Sequence, residues 1–175
     1  NRTLLILTER ITQVNWFIEN IEKEKIATVG KYVGGMKQNV LDESLKCKII
    51  VGTYNMIEEG FDCKALDTLI MATPKIDIEQ TVGRILRKRP EERTIAPLVI
   101  DIWDLFGNFK NKGFTRLKFY KSHKYKITTF CVDDNQNSPI VSEINPKNNI
   151  EENNKSTNIH ENVIKKLQTD FTFSD

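Results

Sequence analysis

Five short apolar runs, spaced along the first hundred residues, constrain the fold of this chain more than any other feature. Each run has the length of a strand and is apolar nearly throughout, and amphipathic stretches separate the runs. Strands of this kind are buried on both sides, so the pattern predicts an α/β fold in which helices flank both faces of a parallel sheet. The predicted strands are residues 3–7, 26–29, 47–51, 66–71 and 97–102.

The intervening segments carry helical patterns. A helix is predicted over residues 11–21, a short one over residues 40–45, and a third from Asp77 onward. Residues 113–125 mix aromatic and basic side chains, and either a helix or an irregular segment fits them. A further strand is predicted over residues 125–132.

Ligands of parallel sheets bind beyond the carboxyl ends of the strands, so the loops that follow the strands are the candidate site. These loops are residues 8–10, 34–37, 52–62 and 73–80. The topology alone does not name the ligand.

The segment QTVGRILR contains the most informative group of polar residues. On a helix, Gln80, Arg84 and Arg87 share one face, and no carboxylate lies three or four residues from either arginine within the helical stretch. Two guanidiniums without such a partner favour an external anion, and a phosphate suits their forked geometry. Gly83 borders this face and permits close approach. A solvated basic helix face is the alternative.

The loop after the third strand offers further polar groups. Gly60 allows a positive φ or close approach of a ligand, and Asp62 suits the hydroxyl groups of a sugar. Thr53 and Tyr54 suit a phosphate backbone, through hydroxyl and amide groups. Each of these residues equally fits an ordinary turn or cap.

A second phosphate-type signal precedes the predicted helix at residues 40–45. Backbone N–H groups beside Gly35, together with Lys37, suit a phosphate at a helix start. Gly30 and Gly35 have Walker A spacing, but Met36 and Lys37 stand where Lys-Ser/Thr is required, so the sequence excludes a P-loop here.

Charge is unevenly distributed along the chain. Residues 1–131 carry 22 basic and 16 acidic residues, and residues 84–126 carry 12 basic and 4 acidic ones, which favours a polyanionic partner. The aromatic and basic run 109–125 suits stacking on a nucleic-acid strand, or an ordinary packed helix with snorkelling lysines.

The carboxyl-terminal part has a different composition. Asparagine occupies 9 of the 31 positions 132–162, and little apolar surface offsets the entropy of ordering such a segment. We therefore predict a domain over residues 1–131 and an Asn-rich, disordered or loosely ordered tail over residues 132–175, with a short terminal helix at 163–167 as an alternative.

Cysteine and histidine content excludes several other classes of site. Three widely spaced cysteines without CxxC spacing indicate a reduced, intracellular protein. No apolar run is long enough to cross a bilayer, so we expect no membrane. His123 and His160 stand alone, and we expect no metal site and no catalytic triad.

Taken in order, these segments resemble the second RecA-like lobe of a superfamily 2 helicase. Residues 3–10 match motif IV, residues 34–37 the Gly-Gly motif, residues 53–62 motif V and residues 80–87 motif VI in its Q-x-x-G-R-x-x-R form. The resemblance covers about residues 1–125 and is closest to helicases of phages and large DNA viruses. A viral source fits the Asn/Lys/Ile bias.

The resemblance implies a role for each motif residue. Arg87 would be the arginine finger on the γ-phosphate of ATP, with Arg84 beside it and Gln80 near the γ-phosphate or the attacking water. Gly60, Gly83 and Asp62 would face the nucleotide, with Asp62 toward the ribose. The residues expected to line the DNA or RNA backbone are Thr8, Arg10, Gly35, Lys37, Thr53 and Tyr54.

The resemblance also implies what this chain would lack. ATP would be shared with an amino-terminal RecA-like lobe of the parent chain, which would carry the P-loop and hold Mg²⁺. We expect the chain alone to be monomeric and inactive as an ATP hydrolase and helicase. The open alternatives are a translocase on duplex DNA, a non-catalytic nucleic-acid-binding module and a plain ligand-binding domain. We expect an intracellular location, in the host cytoplasm or virion if the source is a virus.

Overall fold

A computed structural model describes residues 2–58, 60–85, 87, 89–104, 107–131 and 140–144. The chain divides into two compact units, Asn1–Arg116 and Leu117–Asp175. The predicted boundary between residues 131 and 132 remains a prediction, because most of the predicted tail, including its alternative terminal helix, lies outside the described residues.

The first unit alternates strands and helices. Its elements are β1 (Leu4–Thr8), α1 (Ile11–Lys23), β2 (Val29–Tyr32), α2 (Gln38–Ser44), β3 (Ile49–Thr53), α3 (Tyr54–Glu58), β4 (Thr68–Met71), α4 (Glu79–Ile85), a 3-10 turn (Pro90–Glu92), β5 (Leu98–Asp101) and the first part of α5 (Gly107–Ser122). Within the described residues the strands form one parallel sheet of order β2-β3-β1-β4-β5, so the predicted α/β fold is confirmed.

The central strands are buried on both faces. Ile6 of β1 belongs to an apolar cluster with Val14 and Ile21 of α1. Its neighbours Leu5 and Leu7 point to the opposite face by strand alternation, and both are fully buried. A continuous apolar run is therefore the correct signature for β1, because each face packs against other side chains.

The second predicted strand is displaced along the chain more than the others. β2 begins at Val29, whereas the apolar run predicted a strand over residues 26–29. Ile26 instead follows the end of α1: its N–H donates to the Ile21 carbonyl at 3.2 Å, and Lys25 takes a φ of 51°. This hydrogen bond and the positive φ define a Schellman turn that closes the carboxyl end of α1.

Three helical segments were either not predicted from the sequence or left undecided. Tyr54–Glu58 is the helix α3 and not a loop, and the 3-10 turn Pro90–Glu92 was not anticipated. The mixed aromatic and basic segment is helical up to Ser122, which decides between the two conformations left open for it.

The second unit contains the end of α5 and an antiparallel pair of strands, β6 (Ile127–Cys131) and β7 (Ile140–Ile144). β6 was predicted, but β7 lies inside the segment predicted as a linker. The average composition of the tail hid a local run of β-branched residues, PIVSEI, that suits a strand.

Two features are absent from the described part of the chain. No helix there combines the length and apolar character needed to cross a lipid bilayer. No group of three or more potential metal-ligating side chains occurs there either.

Candidate functional site

The ends of three neighbouring strands bring the predicted nucleic-acid residues to one edge of the sheet. Thr8 at the end of β1 is the register partner of Thr53 at the end of β3, and Tyr32 at the end of β2 pairs with Gly52. The loops that follow therefore lie at the same carboxyl edge. Three of the predicted contact residues are exposed there: Arg10, Gly35 and Lys37.

The loop before α2 presents Lys37 to solvent. Gly35 has a φ of +80°, a conformation that glycine adopts without strain. Lys37 occupies the N-cap position of α2 without a side-chain capping hydrogen bond. α2 packs tightly on β2, because a Cβ on Gly30 would lie 2.6 Å from the Ser44 carbonyl oxygen. The Ser44 hydroxyl also donates to the Lys31 carbonyl at 2.8 Å, which fixes the position of the helix and of the loop before it.

Two of the predicted phosphate contacts are buried instead. The Tyr54 side chain is 3% exposed, and its hydroxyl donates to the Thr73 carbonyl at 2.6 Å. The Thr8 side chain is fully buried, and its hydroxyl donates to the Arg10 carbonyl at 3.1 Å. These hydroxyls hold loops in place, so the prediction that they face a phosphate needs correction. Burial raises the pKa of Tyr54 to about 12.

The motif V and motif VI segments lie against each other. Arg84 donates from Nη1 to the Phe61 carbonyl at 3.1 Å and from Nη2 to the Glu58 carbonyl at 3.4 Å. Arg87 Nη1 lies 2.7 Å from Asp62 Oδ1. The residues predicted to face one nucleotide are therefore neighbours, although they come from different segments of the sequence.

Two expectations about the arginines are wrong. α4 ends at Ile85, so Arg87 follows the helix and does not occupy its third turn. Arg87 also has a carboxylate partner, Asp62, from outside the helix, where the sequence argument had considered only helical neighbours. The two side chains of this pair are 44% and 53% exposed, so the pair is open to solvent and to a competing ligand.

Gly83 and Gly60 have no packing role among the described residues. A Cβ built on either of them would have no heavy atom within 4 Å. Gly60 has a φ of +142°, which only glycine tolerates well, whereas Gly83 lies within α4, where alanine would be more favourable. Gln80, one turn before Arg84, is exposed. The exposed side of α4 therefore leaves room for a ligand to approach closely.

This group of side chains fits a nucleotide in its chemistry. Guanidinium groups match phosphate oxygens, and a carboxylate accepts hydrogen bonds from ribose hydroxyls. Arg84, Arg87 and Asp62 supply these groups at one place, beside an unobstructed glycine. A complete triphosphate site needs phosphate-binding amides and a metal, which this group does not provide.

A buried ion pair escaped the sequence analysis. Arg116 of α5 is 1% exposed and binds both carboxylate oxygens of Asp101, at 2.7 Å and 2.8 Å, and it donates to the Lys75 carbonyl at 2.9 Å. It therefore ties α5 to the end of β5 and to the loop after β4. The only available signal was an aspartate inside the otherwise apolar run PLVIDI.

Comparisons with known proteins identify the class of this chain. It is 37% identical over 136 residues to "Putative ATP-dependent RNA helicase L396" of Acanthamoeba polyphaga mimivirus, covering 76% of this chain and 26% of the relative. It is 31% identical over 141 residues to "Putative helicase 161L" of Invertebrate iridescent virus 6, covering 70% and 30%. It is 30% identical over 95 residues to "Uncharacterized protein 108L" of Invertebrate iridescent virus 3, covering 54% and 86%. No protein-family model matches the chain.

Solved structures give the same fold. The carboxyl-terminal domain of the DEAD-box protein Dbp5 matches with a TM-score of 0.55 at 15% identity, covering 70% of each chain. UvsW of phage T4 matches with a TM-score of 0.52 at 19% identity, covering 71% of this chain and 30% of UvsW. The fold is thus that of a carboxyl-terminal RecA-like helicase domain.

The chain belongs to the family of the two viral putative helicases, L396 and 161L. It spans about a quarter to a third of the length of the two viral helicases that it matches, 26% and 30%.

Proposed function

We propose that this chain is the second motor lobe of an ATP-dependent, superfamily 2 nucleic-acid helicase and that Arg87 is its arginine finger. The observation that supports this most directly is the exposed Arg87–Asp62 pair, which brings motif VI against motif V beside Gly83. A guanidinium in this position stabilises the charge that develops on a phosphoryl group during transfer. Arg84 and Gln80 would support the same phosphate, and Gly60 and Asp62 would face the sugar.

The carboxyl edge of the sheet would hold the nucleic-acid strand. Arg10 and Lys37 are exposed there and supply positive charge, and Gly35 and Thr53 lie beside them. Contacts of this kind neutralise phosphates without reading the sequence, so binding should weaken steeply as salt rises. The name of the mimivirus relative includes RNA, and we propose to test both RNA and DNA for this chain.

A first lobe in the parent protein would complete the nucleotide site and hold Mg²⁺. We therefore expect the chain alone to bind nucleic acid without hydrolysing ATP or separating strands. Adding a separately expressed first lobe, or using the full parent chain, should restore turnover. Strong ATPase activity of this chain alone would contradict the proposed division of labour.

The decisive experiment replaces Arg87 by alanine in the full parent protein. We expect the ATPase rate to fall by about 10³-fold or more, with nucleic-acid affinity little changed, because an arginine finger acts mainly in the transition state. Arg89→Ala is the matched control, since Arg89 is exposed, lies two residues further on and falls outside the motif.

Unchanged turnover in Arg87→Ala would favour a binding module that has the fold without the motor. Strand-displacement and triplex-displacement assays with the active parent protein then separate a helicase from a translocase that moves on duplex DNA.

A further inference from the structure

A cluster of four aromatic rings lies at the end of α5, in the second unit. Its members, the ring cluster, are Phe119, Tyr120, His123 and Tyr125. The ring centroids of Phe119 and His123 are 4.3 Å apart, and those of His123 and Tyr125 are 5.8 Å apart with planes inclined by only 17°. Tyr120 lies 6.4 Å from Tyr125. The four rings therefore form one continuous group.

The backbone builds this cluster through a Schellman turn. The Tyr125 N–H donates to the Tyr120 carbonyl at 3.1 Å, the Lys124 N–H donates to the Lys121 carbonyl at 3.0 Å, and Lys124 has a φ of 56°. In this motif the residue after the turn folds back onto the last helical turn. Tyr125 is thus held against the helix end by main-chain hydrogen bonds, which fixes the ring cluster in position.

The ring cluster is accessible to solvent. His123 is exposed, the other three rings are half-buried, and no side chain between residues 117 and 129 is fully buried.

The segment of the sequence that contains the ring cluster is rich in basic residues. Residues 105–132 contain seven lysines and arginines and no carboxylate. Arg116 is neutralised by Asp101. The exposed lysines adjacent in sequence to members of the ring cluster are Lys118, Lys121, Lys124 and Lys126. Such a surface complements an anionic partner.

We propose that the ring cluster is a binding site for single-stranded nucleic acid, on which bases stack while the neighbouring lysines contact the phosphates. Exposed rings accept the face of any base, and a basic surround tracks the backbone, so the combination suits a strand of any sequence. The site goes beyond the proposed function, because it requires neither ATP nor the residues at the carboxyl edge of the sheet.

Stacking is tested with two labelled oligonucleotides that have equal numbers of phosphates, an oligothymidylate and an abasic strand. In anisotropy titrations of this chain, His123→Ala should weaken oligothymidylate binding by about tenfold and leave abasic binding unchanged. His123→Phe, which keeps a ring, should bind like the wild type. Equal affinity of the wild type for the two strands would overturn the stacking part of the proposal, and unchanged binding by His123→Ala would overturn it as well.

The contribution of charge is tested with exposed lysines, whose replacement leaves the fold intact. Lys118→Gln with Lys121→Gln should reduce the slope of log affinity against log salt by about 0.7 for each lost phosphate contact. Lys23→Gln with Lys48→Gln removes the same charge from exposed sites near the amino ends of the parallel strands. This control pair should leave the slope unchanged. Equal slopes for the two pairs would overturn the site.

A third pair of variants separates this proposal from the proposed function. Arg10→Gln with Lys37→Gln removes charge at the carboxyl edge of the sheet. If this pair weakens binding and the ring-cluster variants do not, the ring-cluster site is wrong and the motor-lobe proposal stands. If only the ring-cluster variants weaken binding, the ring-cluster site stands and the proposed strand path at the carboxyl edge is wrong.

Discussion

Arg87 and Asp62 form an ion pair in which Nη1 lies 2.7 Å from Oδ1, and the pair joins the segment after α4 to the segment before β4. Both side chains are about half exposed, at 44% and 53%, so water and salt screen their attraction. The pair therefore holds the two segments together weakly. Either group can exchange its partner for a ligand at small cost.

The first prediction is that this pair contributes little to stability. Asp62→Asn should change the free energy of unfolding of this chain by less than about 1 kcal/mol, because exposed pairs are worth that much or less. Urea denaturation at low and moderate salt measures the change. In the parent protein the same substitution should weaken ATP binding, if Asp62 faces the ribose as proposed. A loss of several kcal/mol on unfolding would mean that the pair is structural.

Replacing Gly83 by alanine should stabilise the protein. Gly83→Ala is expected to raise the free energy of unfolding by about 0.5–1 kcal/mol, because it removes backbone entropy from the unfolded chain and meets no neighbour within 4 Å. If a ligand approaches here, the parent ATPase should fall in the same variant. Gly30→Ala is the contrasting substitution and should be destabilising, since its Cβ would meet the Ser44 carbonyl at 2.6 Å. A stabilised variant with full ATPase activity would argue against a ligand at Gly83.

Two buried threonines should respond oppositely to valine. The hydroxyl of Thr81, which is 1% exposed, has no hydrogen-bond partner among the described residues. Thr81→Val should raise the free energy of unfolding by about 1 kcal/mol, because an unpaired buried hydroxyl carries a desolvation penalty. The Thr68 hydroxyl accepts a hydrogen bond from Arg2 and donates one to Asp67. Thr68→Val should therefore lower the free energy of unfolding by a similar amount. Thermal or urea unfolding of both variants tests whether the two changes in the free energy of unfolding have opposite signs.

Features that depend on continuous apolar sequence were predictable. β1 and β3 are buried on both faces, and their continuous apolar runs indicate this burial in the sequence. β2 was misplaced because Ile26 is apolar yet 64% exposed at the turn after α1, where its backbone closes the helix end. An apolar run cannot distinguish a strand from the turn that precedes it.

Pairings between distant segments were not predictable. No local pattern links Asp62 to Arg87, or Asp101 to Arg116, because each pair depends on how the sheet aligns separate loops. The motifs predicted a shared site for Arg84, Arg87 and Asp62, and the structure shows that Arg87 and Asp62 are already partners. Tyr54 shows the same limit, since a motif residue near a predicted phosphate path proves to be internal.

The buried pair between Arg116 and Asp101 should be far more important for stability than the exposed pair between Arg87 and Asp62. Asp101→Asn leaves a guanidinium that is 1% exposed without its charged partner. Breaking such a pair from one side costs about 3–5 kcal/mol, so the free energy of unfolding should fall by several kcal/mol. Urea denaturation of this variant beside Asp62→Asn gives a direct comparison. Similar effects of the two substitutions would show that Arg116 reaches solvent.

The buried phenol of Tyr54 should make the protein less stable in alkali. Burial raises the pKa of Tyr54 to about 12, against an ordinary value of 10.0 in the unfolded chain. Between these values the unfolded chain loses the phenolic proton while the folded chain keeps it, so the free energy of unfolding falls as pH rises. The loss from this residue should be about 1 kcal/mol near pH 11.

The variant Tyr54→Phe isolates this effect from the titration of the other groups. Near pH 8 it should be less stable than the wild type by about 1 kcal/mol, because the hydrogen bond to the Thr73 carbonyl is lost. As pH rises from 10 toward 12 the two unfolding free energies should converge and then cross near pH 11, since only the wild type has a phenol at this position. Urea denaturation at intervals over this pH range measures both curves. Curves that stay parallel would mean that Tyr54 titrates normally in the folded protein and is not sealed from water.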